Sequence, residues 1–150
     1  MNAQRGFTLA ELVIVLMLIG ILAVVAIPRL TVSDFSARGA RDFVGSALRY
    51  AQKSAIAMRR NVCVTVGATR VAVTYAAAAG AAQPCAAANT LADPATGQPF
   101  DGTPYGGGAT VSTPASLSFD ALGRPSSALS ITVTSHATPL VVEAETGYVH

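Results

Sequence analysis

A long apolar stretch near the amino terminus restricts this chain more than any other feature of its sequence. Residues 12–27 form an unbroken apolar run, and Glu11 is the only charged residue between Phe7 and Pro28. Counted from Phe7, the stretch reaches the length of about 20 residues that a helix needs to cross a bilayer. We therefore expect one membrane-spanning helix over residues 7–28, with a kink at Pro28.

Glu11 is an unusual residue to find in such a helix. A carboxylate at the bilayer centre costs roughly 2.5 to 3.5 kcal/mol on insertion scales, so acids inside membrane helices normally have a partner. The alternative is an acid at the helix end that lipid headgroups solvate. A secretory signal cut after Ala26 is a weaker alternative, because the apolar run exceeds the roughly 7 to 15 residues of such signals.

The chain beyond Pro28 predicts an amphipathic helix over residues 29–62. At about 100° per residue, apolar and basic side chains fall on opposite arcs. The apolar arc contains Phe43, Val44, Ala47, Ala51, Met58 and Val62. The basic arc contains Arg38, Arg41, Arg49, Lys53, Arg59 and Arg60. We expect the apolar arc to pack on the core and the basic arc to be solvated, with a binding role for this basic surface as the alternative.

Residues 63–150 predict a β-rich head. Two β-branched runs around a turn at Gly67 indicate a hairpin, and the alanine-rich residues 76–88 and the Pro- and Gly-rich residues 93–108 predict loops. Later strands are expected at residues 116–119, 129–133 and 140–143, and residues 146–149 are expected as a last strand or an edge. The predicted fold class is α+β, with a long N-terminal helix packed on an antiparallel sheet.

Cys63 and Cys85 are the two cysteines of the chain. Two cysteines are too few for a zinc site with the usual four ligands. We expect a disulfide between them if the head lies outside the cytoplasm, because oxidising compartments keep such pairs closed. The alternative is a pair of buried thiols.

The amino terminus resembles that of type IV prepilins and type II secretion pseudopilins. The resemblance lies in a short leader ending at Gly6, the segment Phe7-Thr8-Leu9-Ala10-Glu11 and an apolar helix. It implies a pilin-like fold and a leader at residues 1–6. Prepilin peptidase would cut the chain between Gly6 and Phe7 and then methylate the new amine of Phe7. It also implies that Glu11 pairs in an assembled filament with the Phe7 amine of a neighbouring subunit, where screening by water is weak.

Three later segments narrow the resemblance to the GspH/FimT group of minor pilins and pseudopilins, and within it to minor pilins of mannose-sensitive haemagglutinin (MSHA) pili. These segments are RYAQKSAIAMRRNVCV, FDALGRPSS and VEAETGYVH. The implied role is a structural subunit that contacts other pilins through its N-terminal helix. It would sit in the bacterial inner membrane with a periplasmic head and pass into a filament on assembly. A pseudopilin of a type II secretion system remains the alternative.

DNA binding is a further alternative, because some FimT-like pilins bind DNA through basic residues near the carboxyl terminus. Residues 29–62 contain seven basic and two acidic residues, whereas residues 63–150 contain two basic and five acidic residues. The carboxyl-terminal region is therefore acidic, through Glu143 and Glu145. Since phosphate contacts require clustered Lys and Arg, only the basic helical surface is a candidate.

We expect no catalytic activity, cofactor or bound metal. His136 and His150 lie far apart in the sequence, and Asp120 precedes Gly123 in a turn, where Asp commonly bonds its own backbone. These residues form no recognisable triad or metal-ligand spacing.

Overall fold

The computed structural model describes residues 7–26, 32–80 and 84–150. The expected leader with Gly6 and the expected kink at Pro28 lie outside the described residues. The chain forms two compact units, Met1–Val32 and Ser33–His150. The second unit contains most of the predicted amphipathic helix as well as the β-rich region, and the name head refers below to this whole unit.

The first unit contains helix α1 (Leu9–Ala26). Thr8 caps this helix: the Glu11 amide donates to Thr8 Oγ1 at 3.3 Å, and the Leu12 amide donates to the Thr8 carbonyl at 3.2 Å. Thr followed three residues later by Glu is the sequence pattern of a capping box, which explains why the helix begins here. In the part of the chain that the structure describes, no helix has both the length and the hydropathy needed to cross a membrane.

The helix of the head, α2 (Val32–Met58), buries a face built mainly of alanine. Its buried side chains are Ala37, Ala40, Val44, Ala47, Leu48, Ala51 and Ala55. Phe43 and Met58, both on the predicted apolar arc, are only partly buried. The helix ends at Met58, because Arg59 takes a left-handed φ of 53°. Val62, expected inside the helix, begins the first strand instead.

The main sheet of the head contains five antiparallel strands. They are β1 (Val62–Val66), β2 (Arg70–Ala76), β3 (Cys85–Thr90), β4 (Asp101–Pro104) and β5 (Ala115–Phe119). The strand order is β3-β2-β1-β5. Strands β3 and β4 pair with the same edge of β2, β4 at its beginning and β3 at its end. Val64 aligns with Val73 on β2 and with Leu117 on β5. The predicted hairpin is confirmed, and the Gly67 amide closes its turn by donating to the Arg70 carbonyl at 2.8 Å.

A second, two-stranded sheet pairs β6 (Leu129–Ile131) with β7 (Leu140–Val142). The carboxyl terminus joins it through an isolated bridge between Val142 and Val149. The amides of Val141 and His150 donate to each other's carbonyls at 2.8 and 3.0 Å. Of the two expectations for residues 146–149, a last strand or an edge, the structure has the edge, held by a short stretch of pairing.

The core lies between α2 and the inner faces of the two sheets. Alternate residues of β1 and β2 point inward, so that Val64, Val66, Val71 and Val73 are at most 1% exposed. They belong to the same buried cluster as the alanines of α2. This packing of a helix on an antiparallel sheet confirms the predicted pilin-like α+β fold class.

Two regions predicted as loops contain strands. Strand β3 begins at Cys85 within the alanine-rich stretch, and β4 lies within the Pro- and Gly-rich stretch. Both pair with the edge of β2, with register shifts at Thr74/Tyr75 and at Val71/Ala72. Neither strand has the β-branched alternation that marks a strand locally, so long-range pairing determines their conformation.

Candidate assembly surface

Apolar side chains surround α1 and are exposed in this chain. Even Val15, the least exposed of its large apolar residues with described side chains, is 47% exposed, and Phe7 just before the helix is 85% exposed. A helix that is apolar on all sides is normally buried, in a protein core or in a membrane. Contiguous exposed apolar surface of this kind marks an interaction site.

Glu11 lies in the first turn of α1, where its backbone amide and its carboxylate have different surroundings. The Glu11 amide donates to Thr8 Oγ1, whereas no residue that the structure describes hydrogen bonds to the Glu11 carboxylate. Phe7, whose amine would be created by cleavage, immediately precedes the cap residue. The carboxylate is therefore available to a partner outside the described chain. Its pairing with a neighbour's amine stays a prediction.

Two turns of the head meet at Gln52 on α2. Gln52 Nε2 donates to the carbonyls of Gly123 and Thr146, both at 2.9 Å. Asp120 shapes the first turn, because its Oδ1 accepts from the amides of Leu122 at 2.8 Å and Arg124 at 2.9 Å. One side chain in the middle of α2 therefore holds two turns that lie far from it in the sequence.

Glycine is required where these turns touch α2. A Cβ at Gly123 (φ 80°) would lie 2.7 Å from Ile56 Cδ1, and one at Gly147 (φ 67°) would lie 2.5 Å from Gln52 Nε2. All three sequence segments that resemble the GspH/FimT group converge at this point. Sequence reasoning missed Gln52, because a polar residue at a helical position gives no indication of which loop it will reach.

Cys63 and Cys85 form a disulfide in the structure, with their Cα atoms 6.1 Å apart. The bridge joins β1 to the first residue of β3, across the intervening strand β2. It closes a sequence separation of 22 residues. The predicted disulfide is present, and the alternative of two buried thiols does not apply to this structure.

The predicted basic surface is not simply a solvated face, because three of its guanidinium groups bind backbone carbonyls. Arg41 donates to Thr138 and Pro139 at 3.3 and 3.4 Å. Arg49 donates to Val149 at 3.0 Å, and Arg60 donates to Ala77 at 2.9 Å. Arg41 and Arg49 thus hold a loop and the carboxyl-terminal edge segment to α2, and Arg60 holds Ala77 to the residues that follow α2. Helical periodicity could not show that other elements of the head contact these arginines.

Two family models match the chain. The one described as type II transport protein GspH matches residues 40–146, and the one described as prokaryotic N-terminal methylation motif matches residues 1–27. The chain belongs to the GspH family. It is a minor pilin or pseudopilin of a type IV pilus or a type II secretion system, and neither match singles out MSHA pili. No solved structure matches this chain.

In this GspH-family head, Arg38, Lys53 and Arg59 are the members of the basic surface that are exposed and whose side chains make no described hydrogen bond. They lie at separated positions along and just beyond α2, so the uncommitted charge is dispersed. A nucleic-acid backbone needs several closely spaced cations, and three dispersed ones meet that need poorly.

Tyr105 is a buried polar residue that sequence reasoning did not single out. Its side chain lies against the hairpin turn, where the single hydroxyl proton is shared between two acceptors, the carbonyl oxygens of Gly67 at 2.6 Å and Arg70 at 2.8 Å. Burial raises the pKa of Tyr105 from 10.0 to about 12. The hydroxyl thus stays neutral and closes the turn of the GspH-family hairpin.

The residues considered for chemistry are committed to local structure. Asp120 accepts the two turn amides described above, and His136 Nδ1 lies 3.2 Å from the Thr138 amide. His150 Nε2 lies 3.1 Å from Glu143 Oε1, and the His150 ring stacks on Tyr148 with centroids 5.3 Å apart. Among the described residues, no cluster of three or more His, Cys, Asp or Glu side chains is arranged to hold a metal ion.

Proposed function

We propose that this chain is a structural minor pilin of an MSHA-type type IV pilus, acting in filament assembly or initiation. The observation that carries the proposal is α1: the large apolar side chains that the structure describes are exposed on all sides of this helix, and its first turn contains Glu11, whose carboxylate has no described hydrogen bond. Such a helix suits two successive environments, a bilayer before assembly and a bundle of like helices afterwards. The resemblance of the head segments to MSHA minor pilins supports the choice of pilus.

In this proposal residues 7–28 anchor the subunit in the inner membrane and the head lies in the periplasm. The apolar run continues past the last described residue of α1 to Ile27. The disulfide between Cys63 and Cys85 supports a head outside the cytoplasm, because oxidising compartments keep such bridges closed. The match to the methylation motif supports cleavage after Gly6 by prepilin peptidase.

A pseudopilin of a type II secretion system is the second candidate function. The observation that favours it is the match of residues 40–146 to the model of type II transport protein GspH. Co-purification after cross-linking in the native bacterium separates the two. We expect pilins of a pilus to accompany the subunit; components of a secretion system in their place would establish the second candidate.

DNA binding is a weaker proposal for this head. Three of the six residues of the basic surface donate to backbone carbonyls, and the carboxyl-terminal edge carries the exposed acids Glu143 and Glu145. We likewise propose that the role is structural and requires neither catalysis nor a cofactor, since Asp120 is engaged in a turn rather than directed at a substrate.

Processing tests the proposed function. Mass spectrometry of the mature protein should find chains that begin with N-methylated Phe7. Gly6→Val should leave the leader attached, because the bulky side chain obstructs the peptidase. Gly20→Val is the matched control: it adds the same side chain within α1, where nothing lies within 4 Å of the added Cβ. This variant should be cleaved normally. A mature chain that begins at residue 27 would contradict the proposal.

A further inference from the structure

A shallow pocket lies on the outer face of the main sheet of the head, beside the turn that follows β5. Leu117 and Phe119 on β5 are buried in the core. Because side chains alternate along a strand, Ser118 and Asp120 point to the opposite face. The pocket has a volume of about 220 Å³ and is lined by Asn61, Ser118, Asp120, Arg124, Pro125 and Ser126. Most ligand pockets have volumes of about 300 to 1,000 Å³, so this one suits a single small group.

Backbone hydrogen bonds fix the walls of this pocket. The Asp120 amide donates to the Arg124 carbonyl at 2.9 Å, and the Ser126 amide donates to the Ser118 carbonyl at 2.8 Å. Asp120 Oδ1 accepts the two turn amides described above. A ligand therefore finds walls that are already ordered, which lowers the entropic cost of its binding.

The pocket offers a cation and two hydroxyl groups to a ligand. Arg124 is exposed, and its guanidinium forms no hydrogen bond or ion pair with any described residue. Ser126 Oγ accepts from the Ser118 amide at 3.3 Å, which leaves its hydroxyl proton to be donated. The Ser118 hydroxyl makes no described hydrogen bond. These three groups come from a strand and from the turn that follows it, so one ligand can reach all of them.

The kind of anion is restricted by Asp120, which lines the same pocket as Arg124 without forming an ion pair with it. A guanidinium offers paired donors that match the two oxygens of a carboxylate or of a phosphate. The negative charge of Asp120 opposes a group with two negative charges more strongly than a group with one. A single carboxylate is therefore favoured over inorganic phosphate.

The rest of the ligand is defined by the two serine hydroxyls and Pro125. Hydroxyl groups both donate and accept hydrogen bonds, so the hydroxyls of a sugar match those of Ser118 and Ser126. Pro125 adds an apolar wall for the C–H groups of a sugar ring. A uronic acid, a sugar whose terminal carbon is a carboxylate, combines these features on one ring. Because the pocket is shallow, the neighbouring sugars of a polymer can extend into solvent.

We propose that this pocket binds a uronate residue of an acidic polysaccharide, with the carboxylate on Arg124 and ring hydroxyls on Ser118 and Ser126. The site gives the head a contact with acidic polysaccharides in addition to its contacts with other subunits. It lies wholly within the head and depends neither on the proposed membrane anchor nor on filament assembly.

NMR titration of the full-length chain in a nonionic detergent at neutral pH tests this proposal. Galacturonate should shift the amide resonances of Leu122, Arg124 and Ser126 with a Kd on the order of 1 mM, as expected for a ligand of this size. Galactose, which has a hydroxymethyl group in place of the carboxylate, should bind at least about fivefold more weakly, because the charge-assisted hydrogen bonds are lost. Propionate, which has the carboxylate but no hydroxyls, should also bind more weakly than galacturonate.

Two variants assign these preferences to side chains. Arg124→Gln should remove the preference for galacturonate over galactose, and Ser118→Ala should narrow the preference for galacturonate over propionate. Arg38→Gln is the matched control, because it makes the same change at an exposed arginine of α2. About 30 Å of helix separate Arg38 from Met58, the end of α2 from which the chain continues to the pocket. This control should keep both preferences.

A third variant tests the selection against phosphate. Inorganic phosphate should not displace galacturonate from the unmodified chain. It should do so from Asp120→Asn, which loses the negative charge but keeps an oxygen for the two turn amides.

Several outcomes would overturn the proposal. Equal affinities for galacturonate and galactose, or equal effects of Arg124→Gln and Arg38→Gln, would show that Arg124 does not bind the carboxylate. Displacement of galacturonate by phosphate in the unmodified chain would reveal an unselective anion site, and displacement by glycine would reveal a site for amino acids. An absence of shifts at galacturonate concentrations far above the expected Kd would exclude the site altogether.

Discussion

Gly147 and Gly97 share a left-handed backbone but have different surroundings. Gly147 has a φ of 67°, and a Cβ there would lie 2.5 Å from Gln52 Nε2 and 2.8 Å from the Gly123 carbonyl oxygen. Gly97 has a φ of 71° with nothing within 4 Å. Gly97→Ala should cost only the left-handed strain, about 1 to 2 kcal/mol. Gly147→Ala should cost about 1 to 3 kcal/mol more, because the added methyl group also displaces packed atoms.

Unfolding of the full-length variants in detergent, followed by circular dichroism, measures this difference. Equal losses of stability for Gly147→Ala and Gly97→Ala would show that the turn does not pack on Gln52 as described.

The hydroxyl of Tyr105 makes the stability of the hairpin sensitive to alkaline pH. Burial raises the pKa of Tyr105 from 10.0 to about 12 in the folded protein. The folded state therefore holds this proton more tightly than the unfolded state does. The corresponding stability is fully present below pH 10.0 and is lost as the pH rises towards 12. Unfolding midpoints measured across this window should fall more steeply for the wild type than for Tyr105→Phe, which has no proton to lose. Parallel curves would exclude the linkage.

At the scale of secondary structure, local pattern predicted elements whose partners lie nearby in the chain. The hairpin of β1 and β2 was predictable because β-branched residues alternate on both sides of Gly67, and α2 was predictable from its apolar period. Strands β3 and β4 were missed because Cys85–Thr90 and Asp101–Pro104 contain little β-branched or aromatic residue content. Their strand conformation comes from pairing with the edge of β2, which is a tertiary effect.

The residues of the candidate assembly surface also divide into those that the sequence predicted and those that it did not. The exposed apolar α1 and the positions of Glu11 and the cysteines followed from the sequence and the resemblance. The roles of Arg41, Arg49 and Gln52 did not, because each reaches a residue more than 90 positions away in the sequence. A helical pattern identifies the face on which a residue lies but not the loop that later packs against it.

The disulfide should stabilise the head by restricting the unfolded chain. A bridge that closes 22 residues contributes roughly 3 kcal/mol in the chain-entropy account. Replacing both Cys63 and Cys85 by Ser should therefore lower the free energy of unfolding by about this amount. Denaturant unfolding of the full-length chain in detergent, with and without a reducing agent, provides the measurement. Reduction should destabilise the wild type and leave the double variant unchanged; a wild type that is indifferent to reduction would contradict the bridge.

At the scale of the whole molecule, the two units differ in how far their apolar side chains are exposed. The head buries a core that runs from Ala37 on α2 to Val149 near the carboxyl terminus. The large apolar side chains of α1 that the structure describes are exposed and belong to no such cluster. Substitutions in α1 should therefore change how the helix fits the proposed bilayer or filament more than they change the fold of the head.

The substitution Glu11→Gln separates two roles of the amino-terminal motif. In the proposed filament it leaves the amine of a neighbour's Phe7 unpaired in an apolar bundle, which typically costs about 3 to 5 kcal/mol and would reduce incorporation more than a hundredfold. Thr8→Ala is the matched control. It removes the Oγ1 acceptor that caps the Glu11 amide, at a cost of about 1 kcal/mol in helix stability, but leaves the charge of Glu11 in place.

The amount of subunit in sheared filaments, relative to the membrane pool of mature protein, distinguishes these effects. Loss of incorporation for Glu11→Gln with near-normal incorporation for Thr8→Ala supports charge pairing between subunits. Equal losses for both variants would assign Glu11 to helix capping instead. Normal incorporation of Glu11→Gln would refute the pairing mechanism, and disappearance of the membrane pool would show that Glu11 serves the stability of the subunit before assembly.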